Sequence, residues 1–78
     1  MNRVREIRVV NMNRVREFRA VKRITQFQLR LNTGIHQSKI SMIENGLVEP
    51  REDEKQRLTK ALHVKSEELF PVSERESR

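Results

Sequence analysis

Seventy-eight residues allow one domain at most, close to the lower limit for a self-sufficient core, and the absence of cysteine removes disulfides and thiolate metal ligands as supports. The net charge of +6 is unevenly placed: residues 1–45 carry ten Lys/Arg against three acids, and residues 46–78 carry seven against eight. No apolar run approaches the roughly 20 residues that span a bilayer and no signal-peptide hydrophobic region is found, so a cytoplasmic protein with no membrane partner is expected.

The chain opens on a short repeat, "MNRVREIRVV" (1–10) and "MNRVREFRAV" (12–21). Two copies of this length are too few for a solenoid. Residues 1–11 are therefore taken as a basic N-terminal extension, either frayed or lengthening the first helix, with Met12 the equally plausible start of a domain over 12–71. A first helix is expected over about 13–22, where Val15, Phe18 and Val21 form one apolar stripe. The second starts at Thr25, whose T-x-x-Q spacing to Gln28 is a capping box, with Ile24 and Leu29 at the staple positions. It ends at Gly34, which accepts the left-handed conformation that other residues resist.

A third helix is expected from about Gln37 to Asn45, with Ile40 and Ile43 inward, Ile35 placed for a staple to Ile40, and Gly46 then Leu47 as the terminating pair. A fourth begins near Pro50, its N-terminus favoured by Glu52, Asp53 and Glu54 and its inner face made of Leu58, Ala61 and Leu62. A last turn over roughly 66–70 precedes Pro71, and "VSERESR" (72–78) reads as a flexible polar tail. No strand pattern competes, so the fold class is all-α with five short helices.

The third helix raises the functional question. With Ile40 and Ile43 inside, Gln37, Ser38, Ser41 and Met42 fall largely on the other side, flanked by Lys39. Amide and hydroxyl groups pair with base edges in a major groove, and a thioether touches thymine methyls. Gln26, in the first turn of the second helix, stands where free N–H groups suit a phosphate. Periodicity alone is equally compatible with an ordinary helical hairpin bearing a solvated polar face, and the charge excess with a solvated surface. Catalytic chemistry finds little support: His36 and His63 are far apart, Ser38 and Ser41 have no neighbouring His with an orienting acid, and no glycine-rich phosphate loop is present. No cofactor or metal is expected.

The stretch "TQFQLRLNTGIHQSKISMIENG" resembles the helix-turn-helix of the phage-repressor (Cro-like, XRE) family. The resemblance rests on Gln26, Leu29, Gly34, an aliphatic at 35, Ser38, Ile40, Ser41 and the ending Ile43-Glu44-Asn45-Gly46, and it runs ungapped from about Val15 to Phe70. It implies a compact five-helix lambda-repressor-like domain that binds double-stranded DNA, most simply as a homodimeric transcriptional repressor on a palindromic operator. By the same resemblance Gln37, Ser38, Ser41 and Met42 would read bases. Gln26, Lys39, Asn45 and Arg23 would contact the DNA backbone. Arg19 and Glu44 would form a structural salt bridge whose disruption costs roughly 3–5 kcal/mol. Val64, Leu69, Phe70 and Val72 are the expected dimer patch, with simple core packing an equal reading for Leu69. An alternative role for such a domain is protein interaction, with a second protein as partner, as in the antitoxin of a toxin–antitoxin pair.

Some positions depart from the family pattern. Arg30 replaces a small residue at the closest approach of the second and third helices, where a long stem must turn outward or overpack. His36 stands where Ser or Thr caps the third helix, which implies a weaker cap. Arg23 and His63 occupy sites often held by Gly. Leu47, Val48 and Glu49 stand where relatives place Lys or Arg, so Arg14, Arg16, Lys22 and Arg23 are the residues expected to compensate.

Overall fold

The computed structural model describes residues 13–71, which form five α-helices: α1 Val15–Val21, α2 Gln26–Thr33, α3 Gln37–Glu44, α4 Glu52–Leu62 and α5 Ser66–Leu69. No strand occurs among the described residues, and the expected extension at 1–11 and tail at 72–78 lie outside them. α2 lies against both α3 and α4, α5 packs on α4, and α1 closes the bundle against α3 and α4.

The core joins one or two apolar residues from every element: Val15, Leu29, Ile35, Ile40, Ile43, Leu58, Leu62 and Leu69, all buried. Burying a Leu or Ile side chain completely stabilises by about 1.5–3 kcal/mol, so each of these residues matters in so small a core. Phe18, Ile24, Val48, Ala61, Val64 and Phe70 close its edges. Two apolar residues expected to contribute do not. Val21 is 73% exposed because α1 turns its last residue outward, and Leu47 is 70% exposed despite its position after Gly46.

Helix ends are tied by local chemistry. Asn13 Oδ1 accepts from the Val15 N–H at 3.1 Å, so α1 starts at Val15 rather than at 13. The Thr25 and Gln28 side chains each bond the other residue's backbone N–H, at 3.0 and 2.9 Å, completing the capping box. α4 starts two residues after Pro50: the Arg51 N–H donates to Glu54 Oε1 at 2.9 Å, so Glu54 caps the helix from inside its first turn.

At three C-termini the bond pattern is the Schellman one. Ile24 N–H donates to Arg19 O, Leu47 N–H to Met42 O and Val64 N–H to Thr59 O. The pattern needs a left-handed residue at C′. Gly46 supplies it freely at φ +73°, whereas Arg23 and His63 adopt φ +56° and +57° against the steric cost of a Cβ.

The α2–α3 turn is held by Thr33, a buried polar residue. Its hydroxyl donates to Leu29 O at 2.7 Å and accepts from the Ile35 N–H at 3.1 Å. Gly34, at φ +81°, donates its N–H to Arg30 O, and Arg57 Nη1 reaches Thr33 O at 3.4 Å. Arg30 itself is exposed, so its stem turns to solvent instead of overpacking the helix contact.

Candidate nucleic-acid interface

α3 has one buried edge and one open face. Ile40 and Ile43 are fully buried, whereas Ser38 and Asn45 are exposed, Met42 is 39% exposed, and Ser41 is half-buried. Residues 38, 41, 42 and 45 recur at i, i+3, i+4 and i+7, a single stripe along the helix. Gln37 sits at the flank of this stripe and is partly buried.

His36 does cap the start of α3, through its ring nitrogen. Its Nδ1 accepts from the Ser38 N–H at 3.2 Å and lies 2.9 Å from the Ser38 hydroxyl. The backbone N–H can only donate, so Nδ1 is the acceptor and the ring proton sits on Nε2. Imidazole thus does what a Ser or Thr oxygen does elsewhere, and Ser38 Oγ keeps lone pairs for an outside donor.

The two flanks of α3 are pinned by opposite charges. On one side Arg19 forms a fork with Glu44, Nε to Oε2 at 2.7 Å and Nη2 to Oε1 at 3.1 Å, and its Nη1 donates to Ile24 O. The Glu44 side chain is fully buried, and Gln26 Nε2 also donates to it at 3.1 Å. Burial alone raises the Glu44 carboxyl, but the hydrogen bonds from Arg19 and Gln26 and the charges of Arg19 and Arg16 outweigh it. The group titrates below the ordinary glutamate value.

On the other side Lys39 Nζ meets Glu54 Oε2 at 3.0 Å. Burial pushes the Glu54 carboxyl up, and the bonds from the Arg51 N–H and Lys39, with their charges, bring it below its usual value. Lys39, expected to touch the DNA backbone, is therefore held by a buried carboxylate. An acid from α4, fifteen residues along the chain, claims it first.

The remaining expected backbone contacts divide. Gln26 and Asn45 come together around Glu44 with Arg16, one of the basic residues expected to compensate. Arg16 Nη2 donates to Asn45 Oδ1 at 2.7 Å, its Nε lies 3.6 Å from Glu44 Oε1, and 60% of its side chain is exposed. Asn45 Nδ2 donates to Ser41 O. Two guanidiniums thus face one carboxylate beside the N-terminus of α2, leaving a local positive excess that favours an anion. Arg23 does not join them. It lines an open groove of about 390 Å³ with Lys22, Ile24, Gln28, Leu31 and Asn32, and none of the α3 polar residues borders it.

Other residues escaped sequence reasoning. Asn13 Nδ2 donates to Ile43 O at 2.9 Å, tying the start of α1 to the end of α3. An Asn two residues before an apolar stripe is a legible cap signal; the cross-helix bond is not. Of the expected dimer patch, Leu69 is core, Val64 and Phe70 pack against it, and Val72 lies outside the described residues.

Among the described residues no cluster of three His, Asp or Glu side chains suits a metal, and no helix is long and apolar enough to cross a membrane. No protein-family model matches the chain, and no similar sequence is found among curated proteins.

Proposed function

We propose that this protein is a sequence-specific DNA-binding regulator of the lambda-repressor-like kind, acting as a homodimer that inserts α3 into a major groove. The observation that carries the reading is the burial of Ile40 and Ile43, which leaves Ser38, Ser41, Met42 and Asn45 as one outward stripe on a helix pinned at both flanks. A pinned helix presents its side chains in one orientation, which is what base readout requires. Gln37 borders the stripe at the helix start, with an amide that can both donate and accept. Arg16 and the first turn of α2 at Gln26 offer the adjoining anion site for a phosphate. One recognition helix spans few base pairs, so two-fold pairing of half-sites about 34 Å apart supplies the specificity.

The test is selection of bound duplexes from a random pool, repeated with Gln37→Ala. A palindromic site is expected, with relaxed preference at one base position in the variant, worth about 1–3 kcal/mol. Affinity for the selected site should fall with salt at a log–log slope of about −0.9 per phosphate neutralised. A pool that never enriches ends the proposal.

A second reading, binding of another protein as an antitoxin does, is favoured by a different surface. Phe27 and Leu31 lie one turn apart on α2, 51% and 66% exposed, two neighbouring apolar side chains that a protein partner could cover. Replacing both with Ser separates the readings. Duplex selection should be unaffected, whereas a protein partner would be lost.

A further inference from the structure

The repeat at the start of the chain has a structural meaning that α1 reveals. Residues 1–10 and 12–21 differ only at Ile7/Phe18 and Val9/Ala20. The second copy makes α1, and every group that seats it has a counterpart in the first. Asn13, which caps Val15 and bonds Ile43 O, corresponds to Asn2. Val15, 1% exposed in the core, corresponds to Val4. Arg16 and Arg19, which hold Asn45 and Glu44, correspond to Arg5 and Arg8. Phe18, packed against the core, corresponds to the equally apolar Ile7.

Among the described residues α1 begins at Val15, with Arg14 outside helical geometry at ψ 28° and Asn13 Oδ1 accepting from the Val15 N–H, so the helix in the seat starts inside the second copy. The first copy carries the same cap residue at the same offset.

We propose that the α1 seat, formed by the Ile43 carbonyl, Glu44, Asn45 and the core, accepts either copy, so that residues 1–10 take the place of 12–21 when the second copy is released. Residues 11–23 then span the gap that Lys22 and Arg23 span now, ample length for the connection. The second copy holds the seat in the parent chain for two reasons. Phe18 is larger than Ile7, and Arg19 Nη1 also reaches Ile24 O in the turn directly after α1.

The test uses the full chain with an acid placed in each copy. Val15→Asp puts a carboxylate into the core position of the second copy, Val4→Asp does the same to the first, and the double variant disables both. The expected result is a cooperative thermal transition in each single variant, with a lowered midpoint for Val15→Asp, and none in the double. If Val15→Asp loses its transition as completely as the double, the first copy cannot fill the seat. If the double melts like Val15→Asp, the first copy is not what supports that variant. A thiol readout is independent of melting, because the chain has no cysteine. Val4→Cys should label about tenfold or more slowly with a thiol reagent in the Val15→Asp background than in the parent. Equal rates overturn the proposal.

Discussion

Arg23 and His63 are the two non-glycine residues with positive φ among the described residues, each at the C′ position of a helix end. Left-handed backbone costs an L-residue roughly 1–2 kcal/mol, part of which Gly gives back through its freer unfolded chain. Arg23→Gly and His63→Gly should therefore each raise stability by about 0.5–1 kcal/mol in urea titration. An unchanged or lower midpoint would mean that the side chain supplies more than the backbone loses. Arg30 shows the opposite case. Its position between two helices left two outcomes, a stem turned outward or an overpacked contact; it is exposed, so Arg30→Ala should change stability by no more than about 0.5 kcal/mol. All three stood out only against the family pattern, and Gly at positions 23 and 63 of that pattern was the one hint of the left-handed backbone found there. The direction of the Arg30 stem depends on neighbours that adjacent residues do not specify.

Among the elements, α3 matters most, and its start depends on an imidazole. His36→Ala removes the acceptor for the Ser38 N–H and should cost about 1 kcal/mol, whereas His36→Ser should restore the cap. Equal denaturation midpoints for His36→Ala and the parent would show that the 3.2 Å contact contributes nothing. All five helices were legible from apolar spacing and caps, because Thr25, Gly34 and Gly46 act within a few residues of themselves. Boundaries were harder. α4 starts after Pro50 because the Glu54 carboxylate caps the Arg51 N–H, and nothing local distinguishes Glu54 from its acidic neighbours. The inward edge of α3 was read correctly from Ile40 and Ile43, but Gln37 falls at the flank of the open face, and Lys39 was read as a DNA-backbone contact without the Glu54 that reaches it from another helix.

Across the whole molecule, two buried carboxylates bind the bundle together, Glu44 joining α3 to α1 and α2, and Glu54 joining α4 to α3. Both titrate below their ordinary value. A depressed folded pKa contributes stability that is complete above the unfolded value, about 4.3 for glutamate, and is lost as pH falls through the folded one. The urea midpoint should therefore be nearly flat from neutral pH to about 5 and fall steeply below about 4. Glu44→Gln should flatten that fall from a lower starting midpoint. A midpoint that climbs on acidification contradicts this account of the two acids. Such cross-helix pairing is the part of the fold that local patterning leaves open, since opposite charges are plentiful in this chain and many pairings satisfy them.

The backbone bond from the Arg14 N–H to Leu69 O, 2.9 Å long, brings the entrance and the exit of the described domain to one place. A peptide linker of a few residues therefore suffices to join the two ends. Fresh termini opened between Gly46 and Arg51, a stretch outside any helix, would give a rearranged chain order with every helix in its present seat.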